Sequence, residues 1–140
     1  CLIPRSVFER IHFHEELTSY GHEDTLYGKD LQAKGIAMRY IDNPVFHNIF
    51  DSSETFLEKT ETGLLNACRY PNLMKGHVRT LDIQQRCKRA GLQPLIRFLF
   101  AIFEKPLRRN LLGKRPKLRA FDLYKLGYIC RLDHRMKQAR

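Results

Sequence analysis

Residues 13–31 read Phe13-His14-Glu15-Glu16-Leu17-Thr18-Ser19-Tyr20-Gly21-His22-Glu23-Asp24-Thr25-Leu26-Tyr27-Gly28-Lys29-Asp30-Leu31. Two adjacent carboxylates, Glu23 and Asp24, stand behind a glycine at the start of a helical pattern. Leu26, Tyr27 and Leu31 fall on one face, so the spacing predicts a helix over 23–34, closed by Gly35. A helix N-terminus offers unsatisfied N–H groups and a positive dipole end, which favour carboxylates there. Gly21 allows a ligand to approach the backbone. A carboxylate in that position, if it lies in a cleft, can act as a general base. The same two residues also serve as ordinary acids of a first helical turn, and spacing alone does not separate the two roles.

Working outward, Ser6-Val7-Phe8-Glu9 is a capping box that predicts a single helical turn. Ile36 to Ile41 reads as a short strand, Asp42-Asn43-Pro44 as a turn, and Val45-Phe46-His47 as a second extended piece. Asp51 with Glu54 signals a helix running to about Cys68, with Phe56, Thr60, Leu64 and Ala67 along one side. Pro71-Asn72 ends that unit and divides the chain into segments 1–70 and 71–140. Beyond it, helices are predicted from Val78 to Ala90, closed by Gly91, and from Pro94 to Leu112. Pro106 is expected to kink or split the second of these. A last short helix spans Phe121 to Leu132.

The charge is divided unevenly. Residues 1–70 hold seven Lys and Arg against eleven Asp and Glu, a net −4, whereas residues 71–140 hold 18 against four, a net +14. The second segment has the character of a surface that meets an anionic partner. Cys1, Cys68, Cys87 and Cys130 are scattered with no C-x-x-C spacing, which argues against a disulfide framework or a zinc site and fits reduced thiols. No apolar run approaches the roughly 20 residues that cross a bilayer. The chain starts at Cys1, and Leu2-Ile3-Pro4 reads as a strand already under way. The sequence is therefore expected to be part of a longer domain.

The order and spacing of Phe13-His14-Glu15, Tyr20-Gly21-His22-Glu23-Asp24-Thr25, Asp30-Leu31, Gly35 and Val45-Phe46-His47 resemble the inverting family 2 glycosyltransferases. Those enzymes carry an F-D-E turn, then G-Y-G-x-E-D-T, a helix ending R-L-x-x-x-G, a strand, and V-x-H. The resemblance covers roughly residues 1–70. Phe121-Asp122-Leu123-Tyr124-Lys125-Leu126-Gly127-Tyr128 also resembles the tails of bacterial, Bacteroides-like members. The resemblance implies an α/β fold, the C-terminal portion of a GT-A domain over residues 1–70, followed by an α-helical basic tail over 71–140. It implies transfer of a sugar from a nucleotide-sugar donor to an acceptor hydroxyl in cell-surface polysaccharide or lipopolysaccharide synthesis. Asp24 would be the general base, and Gly21, His22 and Glu23 would bind a glycan or lipid-linked acceptor. His47 would contribute to a divalent metal site (Mn²⁺ or Mg²⁺), though it also reads as a histidine closing a strand.

Two departures matter. His14 replaces the acid of the F-D-E turn, and no D-x-D motif occurs in the 140 residues. The metal and the donor would therefore be held mainly upstream, and this chain alone is expected to be inactive.

Residues 95–112 interleave Leu, Ile and Phe with Arg97, Lys105, Arg108 and Arg109. An apolar and basic helix of this kind suits an anionic membrane surface, and a peripheral position on the inner face of the cytoplasmic membrane is expected. The same stripe also suits burial against another part of a larger protein. Nucleic acid is not expected as a partner, because the aromatics sit inside apolar runs and no nucleic-acid motif is present. The alternative is a non-catalytic basic module that binds membrane or nucleic acid, or a scaffold, with the acids merely structural. Metal-dependent hydrolysis by His12, His14, Glu23 and Asp24 lacks a third ligand at suitable spacing.

Overall fold

The computed structural model describes residues 2–15, 17, 21–46 and 50–139. These residues form seven helices: α1 (Arg5–Phe8), α2 (Glu23–Ala33), α3 (Ser53–Arg69), α4 (Pro71–Met74), α5 (Arg79–Arg89), α6 (Gln93–Leu111) and α7 (Leu118–Gln138). Among the described residues there is no β-strand, so the expected α/β, GT-A-type fold is not what this chain adopts. The physical reason lies at residues 36–46. That segment has no regular structure, and Met38, Tyr40, Ile41, Val45 and Phe46 are all exposed. A strand needs a neighbouring edge to satisfy its N–H and C=O groups, and no described residue supplies one. Helices satisfy their own.

Local signals place the helices. α2 begins with its two acids and ends in a Schellman motif: Gly35 at φ +68 lets Ile36 N–H donate to Leu31 C=O (2.9 Å) and Gly35 N–H donate to Gln32 C=O (3.0 Å). α5 closes in the same way at Gly91. α3 is capped by Ser52, whose Oγ accepts from Thr55 N–H at 3.1 Å, rather than by Asp51. Asp51 instead binds Lys59 Nζ at 2.8 Å. α6 runs unbroken through Pro106, contrary to the expected kink or split. Ile102 and Pro106 both lie on the exposed side of α6, where the carbonyl that loses its N–H partner is open to water. α7 is longer than its predicted span, beginning three residues earlier and continuing to Gln138.

α7 is the hub. One core joins Leu26 of α2 and Leu64 and Ala67 of α3 to Met74, Val78, Leu81 and Ile129, so residues on both sides of Pro71 share it. A second places Leu57, Phe100, Leu111 and Tyr124 together. A third, of Ile11, Tyr27 and Leu31, holds α1 to α2. The Tyr124 hydroxyl is buried and donates to Glu61 Oε1 at 2.6 Å. Burial, and then that hydrogen bond, push its pKa well above the usual phenol value.

α6 meets α7 where the side chain of Phe100 occupies the space beside Gly127 that a Cβ would fill. A Cβ at residue 127 would fall inside the van der Waals envelope of the Phe100 ring. Gly127→Ala is therefore expected to cost about 1–3 kcal/mol through overpacking. Gly28, inside α2 with nothing near its missing Cβ, offers the contrast. Gly28→Ala is expected to stabilise by up to about 1 kcal/mol. Urea unfolding of the two variants beside the wild type checks both signs.

Candidate functional site

The N-terminus of α2 is fastened to the middle of α3. Gly21 adopts φ +122, and a Cβ built there would lie 2.9 Å from the Cα of Gly63. Backbone meets backbone at that point, and only glycine at residue 21 tolerates both the dihedral and the approach. His22 follows at φ +76, the N-cap residue of α2, with its imidazole against Gly63. Both carboxylate oxygens of Glu23 accept from Gly21 N–H at 3.0 Å, which locks the turn from the helix side. The next acid points the other way. Asp24 is exposed, and only its Oδ1 is engaged by its own neighbour, accepting from Thr25 N–H at 2.7 Å.

The segment before this turn is held by α2. Phe13 stacks on Tyr27, ring centroids 4.3 Å apart, and His14 Nε2 lies 2.8 Å from Asp30 Oδ2. His14, which departs from the F-D-E pattern, thus has a structural role in pinning residues 13–15 to α2.

Gly21, His22, Glu23 and Asp24 line one wall of an open cleft of about 650 Å³. α3 forms its floor with Phe56, Lys59, Thr60 and Gly63. His77 in the turn before α5, Arg79 and Thr80 at the start of α5, and Lys125 of α7 complete its lining. The volume suits a ligand of small-molecule size. Lys59, Arg79 and Lys125 bring cations to the same cleft as the two acids. Lys59 is tied to Asp51, and Lys125 is paired with Asp122 at 2.9 Å. An apolar groove of about 630 Å³ shares Asp51 and Phe56 with the cleft and runs on past Phe50, Leu118 and Phe121.

Burial lowers the pKa of His22 below its ordinary value, overcoming the opposite pull of Asp24 and Glu23. Its ring is therefore neutral at pH 7, with one nitrogen to donate and one to accept. Burial pushes the Cys68 and Cys130 thiols up to about 12, so neither is a nucleophile near neutral pH. Cys68, Cys87 and Cys130 are all unbridged.

The expected acceptor set and the expected base are thus together on one wall. His47, the expected metal ligand, lies outside the described residues. Among those described, no group of three or more His, Cys, Asp or Glu side chains is placed to hold a metal ion. Arg97, Lys105, Arg108 and Arg109 lie apart from the cleft on α6. Arg108 is turned inward to Glu61 (3.3 Å) and Glu54 (3.6 Å) of α3, and Arg97 is half-buried. Lys105 and Arg109 are exposed.

Sequence reasoning does not reach His77, Arg79, Lys125 or Gly63, because it cannot bring distant helices together. Gly63 alone leaves a trace, as an isolated glycine inside a helical pattern. Comparison of the chain with models of known protein families, with curated proteins and with solved structures yields no match.

Two outcomes are expected. Gly21→Ala should destabilise by about 1–3 kcal/mol through its backbone dihedral and the clash with Gly63. Gly63→Ala should be neutral or slightly stabilising, since its Cβ meets only the His22 ring, at an ordinary 3.6 Å. Equal losses in urea unfolding would contradict this geometry. The second concerns pH. Because His22 has a lowered pKa when folded, the unfolded chain takes up its proton first on acidification. Stability should therefore fall as pH drops through about 6.5. His22→Asn, which tolerates a positive φ, should flatten that dependence between about pH 7.5 and 5.5.

Proposed function

We propose that this chain is the acceptor side of an inverting glycosyltransferase and that Asp24 is its general base. The observation that carries this reading is the division of labour within the acid pair. Glu23 is spent on the Gly21 turn, while Asp24 stands exposed at the rim of a cleft large enough for a sugar. In the proposed step the acceptor hydroxyl gives its proton to the Asp24 carboxylate. Its oxygen forms a bond to the anomeric carbon of the donor as the bond from that carbon to the diphosphate breaks. The sugar is transferred with inversion, and the nucleoside diphosphate leaves. Neutral His22 lines the same cleft, and the Thr60 hydroxyl, whose proton is given to Phe56 C=O at 2.9 Å, can there only accept a hydrogen bond from the sugar.

The sequence pattern around Tyr20–Thr25 supports the reaction class, and the cleft supports the role of the acids. The apolar groove that shares Asp51 and Phe56 with the cleft favours an acceptor with an apolar part, such as a lipid-linked glycan. The residues described here do not form a metal site, and none of the roles assigned to them involves one. The donor and any divalent cation would be held by residues other than those assigned roles in this cleft.

The test is turnover of nucleotide-sugars by the intact protein, wild type and Asp24→Asn. The variant is expected to lose about 10²- to 10⁴-fold in kcat while donor affinity is kept. A variant that keeps its rate would reduce the acid pair to a helix terminus.

A further inference from the structure

The exposed side of α6 carries Leu95, Phe98, Leu99, Ile102 and Phe103, each between 43% and 64% exposed. They follow one another at the i, i+3, i+4, i+7 and i+8 positions that normally mark the buried face of a helix. Here that face is open. Leu123 of α7, 60% exposed, extends it across an apolar groove of about 470 Å³ between the two helices. A continuous apolar surface of this kind marks an interaction site.

The charges around it identify the partner. Residues 93–119 hold eight Lys and Arg and one acid, Glu104, which is bonded to Arg131 at 2.5 Å. Arg97 and Arg108 are turned in toward the protein. Lys105 lies on the edge of the apolar stripe and Arg109 at its C-terminal end. Lys114, Arg115 and Lys117 occupy the connecting turn, and Arg119 sits one helical turn before Leu123. All six are exposed, and none forms an ion pair among the described residues. A second copy of this chain packed face to face would bring these cations against their own copies, which is unfavourable. An anionic lipid interface satisfies both features at once, taking the stripe among the acyl chains and the cations among the headgroups. No helix of the described residues is long and apolar enough to cross a bilayer, so the contact is peripheral.

We propose that α6 and the start of α7 form a docking face for an anionic membrane surface, seated by the Leu95–Phe103 stripe and held by Lys105, Arg109 and the cations of residues 114–119. This revises the membrane-facing set read from sequence, removing Arg97 and Arg108. It stands independently of the sugar-transfer reading.

The experiment is co-sedimentation of the intact protein with vesicles of phosphatidylcholine, with and without phosphatidylglycerol. Binding is expected only with phosphatidylglycerol present, and it should be released by high salt. Each cation removed should weaken it about fivefold, so Lys105→Ala with Arg109→Ala should lose roughly 25-fold. Phe98→Ser with Ile102→Ser should abolish binding. All four positions are on the surface, and unchanged circular dichroism confirms that the variants fold. Equal binding to pure phosphatidylcholine, or no binding, would overturn the proposal. So would a dimer that the Phe98/Ile102 variant dissolves in the absence of any vesicle binding.

Discussion

The contact between Gly21 and Gly63 sets the position of every residue to which a role in chemistry is assigned. Two backbones meet there at a distance that admits no side chain at residue 21, so α2 can enter the molecule from one direction only. Glu23 closes the turn by accepting from Gly21 N–H. With the first acid held, the second is delivered to the rim of the cleft. The His22 ring, pressed on α3 by the same approach, is kept neutral by burial although two carboxylates stand beside it. Geometry and protonation thus follow from one close contact.

The rest of the molecule holds α3 still so that this contact has a fixed partner. α7 packs on α3 through Tyr124 and Ile129 and on α6 through Gly127, and Arg108 returns from α6 to Glu61 and Glu54. Part of the positive charge of residues 71–140 is therefore used internally. Lys88 and Lys137 share Asp133, Arg131 takes Glu104, and Lys125 takes Asp122. Six of the remaining cations lie on α6, on the turn after it and at the start of α7, beside the apolar stripe. A net charge read from sequence gives the size of the excess but not its place.

Much of the helical structure was legible in the sequence because its signals are local. The acids and Gly35 bracket α2, Leu26, Tyr27 and Leu31 mark its buried face, and Gly91 ends α5. The expected strands did not form, because an apolar run bounded by a turn, such as Ile36–Ile41, records only what a segment would do beside a partner edge. Segment 36–46 has no such edge among the described residues; Ile36 packs against the core of Ile11, Tyr27 and Leu31, and Met38, Tyr40, Ile41, Val45 and Phe46 stand in water. Asp51 misled as a cap because two residues that both suit the role are adjacent, and its pairing with Lys59 leaves the cap to Ser52. The acid pair was found from order and spacing along the chain. His77 and Arg79, which line the same cleft from the turn before α5 and from its start, are more than fifty residues away, and no short-range pattern connects them to Asp24.

The most direct test of this account is a proton NMR measurement of short-range contacts in the isotopically labelled protein. A strong cross-peak between the α-protons of Gly21 and Gly63 is expected, accompanied by one from the His22 ring to Gly63. Such a pair would fix the start of α2 on α3 and the acids on the cleft. If α2 gives normal helical contacts but neither cross-peak appears, its N-terminus does not dock on α3. The cleft and the roles assigned to Glu23 and Asp24 would then fall together.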